Sequence, residues 1–184
     1  FLILAIVGLL PMVIMNMPLG GVLLFYEVSL YFSIIWGLFF YTCFKTQQVS
    51  LKTTLSVFFL TQILVFTLWD FTGLPNLNPF YALVETSFPI NILGFVFGVG
   101  LTEELVKLLP LIFILRRTKE PLIPQTMVFY GLMSGIAFGV YEGVGYQITV
   151  NAEQTYDVSF FLNIARLTSL PFLHACWCGK IGRA

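Results

Sequence analysis

Three charged residues inside one apolar segment set the strongest constraint on how this chain folds. Glu103, Glu104 and Lys107 lie in the otherwise mostly apolar run from Phe95 to Leu115, FVFGVGLTEELVKLLPLIFIL. A charged side chain at the centre of a bilayer costs about 2.5–3.5 kcal/mol on insertion scales. We therefore expect these charges to face partners within the protein, because charges inside a membrane usually mark a functional site.

The composition is typical of an integral membrane protein. Hydrophobic residues make up 58% of the 184 residues and charged residues 10%, against about 25% charged residues in soluble domains. The mean hydropathy is +0.93. The formal net charge is zero, and no basic run is long enough to follow a phosphate backbone. We therefore expect no nucleic-acid partner.

The apolar segments predict an all-α fold, a polytopic transmembrane helical bundle of about six or more spans that forms a single domain over residues 1–184. A membrane helix needs about 20 mostly apolar residues. The first three predicted spans are residues 1–24, 28–44 and 53–69. The fourth begins between residues 89 and 94 and ends at 115, the fifth is 126–146, and a sixth begins at about 170. Because the chain is already apolar at Phe1 and stops within a predicted helix at Ala184, we expect a fragment trimmed at both ends.

The charges of the loops predict the orientation. Lysine and arginine occur in two loops, and the other loops carry acidic residues instead. The basic residues are Lys45, Lys52, Arg116, Arg117 and Lys119. The acidic residues are Asp70, Glu85, Glu153 and Asp157. Since short cytoplasmic loops are enriched in Lys and Arg, we expect the basic loops in the cytoplasm and the acidic loops outside.

The last apolar segment sets the depth of His174, the only histidine in the chain. A span beginning at residue 158 would carry His174 to the cytoplasmic side, away from the glutamates. We therefore expect residues 158–168 to lie along the outer surface and the sixth span to begin near Leu170. This arrangement places two basic residues, Lys180 and Arg183, deeper in the protein.

Helical spacing relates the three charged residues of the fourth span. Residues three and four apart share a helix face, so Lys107 reaches both carboxylates. Glu103 and Glu104 differ by about 100° around the helix axis, and one can face a site while Lys107 or a neighbouring helix holds the other. The alternative is a self-neutralising structural cluster that joins helices.

The fifth span combines a small-residue stripe with one carboxylate. Glycines recur every four residues at Gly131, Gly135, Gly139 and Gly143. Such a stripe lets another helix approach closely, and we expect the glycines to serve packing alone. Glu142 lies one turn after Phe138 on the same face. It either joins a site with the other glutamates or reaches lipid headgroups from near the end of its span.

Several carboxylates and one imidazole together suit a divalent metal such as zinc. Zinc binds histidine nitrogen and carboxylate oxygen, and its catalytic sites leave one position open for water. The metal lowers the pKa of that water, and a nearby carboxylate takes the proton. A hydrolase acting at a membrane could use Glu103, Glu104, Glu142 and His174 in this way. A lone histidine is also common as a packing residue.

Three motifs, taken in order, resemble the PrsW-type intramembrane metalloproteases, which are related to the CAAX-prenyl-protease-like membrane proteases. The motifs are Glu103-Glu104-x-x-Lys107, Phe138-x-x-x-Glu142 and His174-x-x-Trp177. The resemblance covers residues 94–184, which would carry the active site. It implies a metal-dependent endopeptidase of a bacterial or archaeal cell membrane. Its substrates would be membrane-anchored proteins, such as an anti-sigma factor, cleaved near the outer face.

The resemblance also implies a role for each residue of the motifs. Glu103 and Glu104 would supply the general base and a metal or hydrogen-bonding contact, and which of them is the base stays open. Glu142 and His174, together with Glu104, would be the metal ligands. Lys107 would neutralise and orient the carboxylates.

Two departures from the wider superfamily accompany these motifs. Glu142 stands where many relatives have a second histidine, which favours the PrsW type over prenyl-protein processing. Cys178 stands where relatives often have Asn or Asp one turn after the histidine, so the last site position stays open. The same polar residues are compatible with a proton- or ion-coupled transporter, since they also form proton relays. A non-catalytic membrane scaffold of the same fold is the other alternative.

Overall fold

The computed structural model describes residues 1–4, 6–7, 21–118 and 120–181. All regular structure in these ranges is helical, which confirms the predicted all-α class. The α-helices of the described ranges from residue 21 onward are α1 (Val22–Phe44), α2 (Leu51–Phe66), α3 (Leu74–Leu77), α4 (Ile90–Leu93), α5 (Leu101–Arg117), α6 (Pro124–Ile148) and α7 (Tyr156–Ile181).

Three helical segments of the described ranges are long and apolar enough to cross a membrane. They are Val22–Phe44, Leu51–Phe71 and Pro124–Ile148. They agree with the second, third and fifth predicted spans. Most of the first predicted span lies outside the described residues, so the total of six or more spans stays a prediction.

The fourth predicted span is a continuous but irregular helix. α4, a π-helix over Gly94–Gly100, and α5 follow one another without a break. The side chain of Asn78 supports the π-helix, because its amide donates to the carbonyl of Phe97 at 3.0 Å and to the hydroxyl of Thr102 at 2.9 Å. These hydrogen bonds therefore connect the loop before α4 to the first turn of α5, which carries Glu103 and Glu104.

α6 is the central helix of the bundle. Every residue from 131 to 140 is buried, and α6 packs against α1, α2, α5 and α7. The main apolar core gathers around it, with Phe129, Tyr130 and Ile136 almost completely buried. A helix apolar on all sides is stable only when other helices or lipid surround it, and here four helices do so.

The glycine stripe of α6 brings α7 into backbone contact, which confirms its predicted packing role. A Cβ at Gly131 would lie 2.8 Å from the carbonyl oxygen of Cys178, and one at Gly139 would lie 2.7 Å from the Cα of Pro171. A Cβ at Gly135 would overlap the carbonyl oxygen of His174. Only glycine allows this separation at these three positions, which therefore determine how close His174 comes to α6. A Cβ at Gly143 would make only ordinary contacts, at 3.7 Å.

The course of α7 differs from the prediction. A single helix runs from Tyr156 to Ile181, so the expectation of a surface segment followed by a new span near Leu170 was wrong. His174 still reaches the depth of the glutamates, because the first turns of α7 extend past the end of α6. Asn163 accepts a hydrogen bond at 2.9 Å from Asn151, which lies three residues after Ile148, the last residue of α6.

The two loops that carry basic residues lie at the same end of the bundle. The hydroxyls of Thr46 and Thr126 are 2.6 Å apart, and the Gln48 side chain accepts a hydrogen bond from the amide of Ile123 at 2.8 Å. These contacts join the loop after α1 to the loop before α6. The start of α5 and the end of α6 therefore lie toward the opposite end.

We expect Gly135→Ala to destabilise the protein by about 1–3 kcal/mol, because added atoms in a tight contact force the helices apart. The measurement is thermal unfolding of the detergent-purified protein, followed by tryptophan fluorescence. Gly145→Ala is the matched control on the same helix, since a Cβ there meets no atom within 4 Å. Equal unfolding temperatures of the two variants would contradict the close contact.

Candidate active site

The predicted glutamate pair lies at the start of α5, directly after the π-helix. Glu103 and Glu104 occupy the first turn of α5, and Lys107 follows one turn later. π-helical turns are rare and often mark functional sites. Here the π-helix leads the chain into the turn that carries both carboxylates.

Lys107 is the centre of the polar cluster. Its side chain is fully buried, and its Nζ lies 2.7 Å from Glu104 Oε1 and 3.4 Å from Glu103 Oε2. The ammonium group also lies 2.9 Å from His174 Nδ1 and 4.3 Å from the centroid of the Phe138 ring. A buried ammonium is tolerated only with partners of this kind. The predicted reach of Lys107 to both carboxylates is confirmed.

His174 lies between Lys107 and Glu142. A charged lysine has hydrogen-bond donors only, so a hydrogen bond between the two side chains makes Nδ1 of the imidazole the acceptor. The Nε2 of the same ring contacts Glu142 Oε2 directly. The rings of Phe138 and Trp177 hold the imidazole from two sides, with centroids 5.1 Å and 5.2 Å away. One side chain of α7 thus joins the charged groups of α5 and α6.

A cavity of about 690 Å³ opens beside this cluster. Its charged and titratable lining residues include Glu103, Glu104, Glu142, Arg166, His174 and Lys180. Its apolar walls include Phe95, Val99, Leu170 and Trp177. Four of the five predicted site residues face this cavity, and Lys107 lies behind them.

The donor chemistry of the cluster fits a divalent metal. Histidine nitrogen and carboxylate oxygen are zinc ligands, and the cavity brings one imidazole together with three glutamate side chains. Glu104 Oε2 is buried and has no hydrogen-bond partner among the described residues, so it is free to bind a cation. Glu142 and His174 already adjoin at Nε2.

The same residues are not yet arranged as a metal site. Among the described residues, no group of three or more His, Cys, Asp or Glu side chains converges on one point. Instead, Glu103, Glu104 and Nδ1 of His174 all contact the ammonium of Lys107. Metal ligation by Nε2 also requires that this nitrogen carry no hydrogen. The ligand set Glu104, Glu142 and His174 therefore stays a prediction.

Sequence reasoning missed several cavity residues. Tyr146 lies one turn after Glu142 on α6. On α7 the residues that line the cavity follow one another at spacings of four, four, three and three residues, so they share one face of the helix. This set is called the cavity face. It consists of Arg166, Leu170, His174, Trp177 and Lys180. Trp177 was already part of the third motif, and extending this spacing in both directions from His174 would have found Arg166, Leu170 and Lys180 as well.

The prediction that Lys180 lies deep in the protein was wrong. Its side chain is exposed and lines the cavity. Arg183, the other basic residue of that prediction, lies outside the described residues.

Tyr81 connects the loop before α4 with the candidate site. Burial raises the pKa of its hydroxyl above the ordinary value, and the carboxylate of Glu103 raises that pKa further. The Cα of Tyr81 lies 2.9 Å from where a Cβ at Gly98 would be, so the residue packs against the π-helix just before α5. No sequence signal pointed to this residue, because its approach depends on how the loop folds back.

We expect Lys107→Met to destabilise the protein by about 3 kcal/mol, because removing one partner of a buried ion pair leaves the other charge without compensation. Unfolding of the purified protein in mixed detergent micelles measures this loss. Lys52→Met is the matched control, since Lys52 is exposed at the start of α2.

A second variant separates charge from packing in the same experiment. Adding Glu104→Gln to Lys107→Met removes one unpaired carboxylate and should recover part of the lost stability. Equal stability of the single and double variants would show that packing, not charge, is what Lys107 contributes.

Comparison with known proteins agrees with the motifs found in the sequence. A family model for PrsW family intramembrane metalloproteases matches residues 29–184, which include every residue of the candidate site. Searches of curated proteins and of solved structures give no match. The family match confirms the resemblance and makes the protein an integral membrane peptide hydrolase. The chain belongs to the PrsW family of intramembrane metalloproteases.

Proposed function

We propose that this multi-pass protein of a bacterial or archaeal cell membrane is a zinc-dependent endopeptidase. Its substrates would be single-pass membrane-anchored proteins, such as an anti-sigma factor, cut near the outer face of the membrane. The observation that carries the proposal is the direct contact of His174 with Glu142 in a cavity that Glu103 and Glu104 also line.

Glu104, Glu142 and His174 would hold the metal. His174 Nε2 and Glu142 are already adjacent, and Glu104 offers a buried carboxylate oxygen without a hydrogen-bond partner among the described residues. The bound ion would supply Lewis acidity, which polarises a peptide carbonyl and lowers the pKa of water.

Glu103 is the better candidate for the general base. Its carboxylate lies 3.4 Å from Lys107 Nζ, whereas that of Glu104 lies only 2.7 Å away. Glu103 is thus held less tightly, and it faces the cavity. In this role its carboxylate takes a proton from the attacking water and passes that proton to the nitrogen of the leaving amine.

Lys107 acts as a positioning residue in this proposal. It contacts Glu103, Glu104 and His174 from behind, on the side away from the cavity. These contacts restrict the rotation of all three side chains, and preorganised groups lose less freedom when the substrate reacts.

The distribution of charge supports cleavage near the outer face. The basic loops lie at one end of the bundle, and by the enrichment of Lys and Arg in cytoplasmic loops that end is the inner one. Glu142 is near the opposite end of α6, about 9 Å along the axis from Ile148. A peptide bond held beside Glu142 would therefore lie in the outer half of the membrane.

Metal analysis and cleavage together test the roles of individual residues. We expect about one zinc per chain in the intact protein, and loss of that zinc in His174→Ala and Glu142→Ala. Glu103→Gln should keep the metal while its cleavage of a membrane-anchored reporter falls by about 10²–10⁴-fold, the usual contribution of a general base.

The matched control is Glu153→Gln, which removes an exposed carboxylate from the loop between α6 and α7. It should retain both metal and cleavage. A well-folded protein that binds no divalent metal, or a Glu103→Gln variant as active as the unchanged protein, would contradict the assignment.

The position of the cut tests the orientation. We expect mass spectrometry of the reporter fragments to place the cleaved bond in the outer half of the reporter's transmembrane segment, because the cavity lies at the end away from the basic loops. Fragments that end in the cytoplasmic half would refute this orientation without affecting the assignment of a protease.

A further inference from the structure

Arg166 is a charged cavity residue that the proposed chemistry does not use. It lies on the cavity face of α7, and its guanidinium carbon is 3.9 Å from the centroid of the Tyr146 ring. Its Nη1 is buried and has no hydrogen-bond partner among the described residues. Arginine presents donors only, in a planar fork suited to a carboxylate or phosphate. An unpaired buried donor of this kind is costly, so it calls for a partner from outside the described residues.

The acidic residues of the cavity do not neutralise Arg166. Glu103 and Glu104 pair with Lys107, and Glu142 contacts His174. In the described part of the chain, no carboxylate lies within ion-pairing distance of Arg166. The stacked Tyr146 ring orients the guanidinium but leaves its donors free. The charge of Arg166 is thus available to something that enters the cavity.

The position of Arg166 along α7 determines which part of a bound ligand would meet its guanidinium group. Arg166 precedes His174 by eight residues, which corresponds to about 12 Å along the helix axis. Leu170 lies between them on the same face and lines the cavity. An extended peptide advances about 3.3 Å per residue. A substrate held at His174 would therefore bring a residue three or four positions away to Arg166.

We propose that Arg166 is a substrate-binding residue that pairs with an Asp or Glu side chain on the outer side of the cleaved bond. The inference rests on the proposed function, since it assumes a peptide bound beside His174. A peptide is favoured over a lipid headgroup because Arg166 shares one cavity with Glu142 and His174. The acidic side chain would confer sequence preference in a cavity whose other walls are largely apolar.

Binding to designed peptides tests this pairing without requiring turnover. The probes are fluorescent transmembrane peptides of Leu and Ala with a single Glu at successive positions near the outer end. Matched probes carry Gln or Lys at the same positions. The full chain carries Glu103→Gln, which suppresses cleavage of the probes, and is embedded in phosphatidylcholine nanodiscs. Fluorescence anisotropy then measures its affinity for each probe. We expect Glu at one or two adjacent positions to strengthen binding about tenfold over Gln, as a charge-assisted hydrogen bond would.

Variants at position 166 give the decisive comparison. Arg166→Gln should abolish the preference for Glu, and Arg166→Glu should reverse it in favour of Lys, a gain that a misfolded variant cannot produce. Arg117→Gln is the matched control, because Arg117 also stacks on an aromatic ring, with its guanidinium carbon 4.0 Å from the Phe113 centroid, but at the far end of α5. Arg117→Gln should keep the Glu preference.

Three results would overturn the proposal. The first is equal binding of Glu and Gln probes by the protein with Arg166. The second is a Glu preference that survives Arg166→Gln. The third is a preference that disappears in phosphatidylglycerol nanodiscs, which would assign Arg166 to lipid headgroups instead. If the charge preference holds but the active protein cleaves none of the probes or reporters, the proposed protease function fails and the Arg166 assignment stands.

Discussion

The burial of one ammonium group organises the polar part of this protein. A membrane interior offers no water to solvate Lys107. Its Nζ is therefore stable only where other groups of the protein accept hydrogen bonds from it. The chain supplies two carboxylates on the same helix and an imidazole nitrogen from α7. These contacts bring α5 and α7 together at one point, with the Phe138 ring of α6 beneath it.

Close helix packing makes that meeting possible. α7 lies against the glycine stripe of α6 at backbone contact, and a side chain at Gly135 would displace the turn that carries His174. The imidazole can then contact Glu142 on α6 and Lys107 on α5 at once. The same close contact therefore joins the two helices and sets the distance between the polar groups of the site.

The cavity beside the cluster separates charges of opposite sign. The carboxylates and the histidine lie toward one part, where a cation would be stabilised, and Arg166 lies about two helical turns away along α7. A peptide that spans this distance would have one bond beside the residues proposed to hold the metal and a nearby side chain beside the guanidinium of Arg166. If Arg166 binds the substrate as proposed, this arrangement would favour an extended substrate with an acidic residue over an apolar helix of uniform composition.

The sequence by itself determined the membrane location, the all-α class, most of the helix positions and the pairing of Lys107 with its own helix's glutamates. All of these follow from composition or from spacing within one helix. It also determined the family, through three ordered motifs. The continuous course of α7, the approach of Arg166 to Tyr146 and the support of the π-helix by Asn78 depended on tertiary structure. Contacts between helices depend on their relative rotation and depth, which many weak packing interactions set together and no short sequence pattern records.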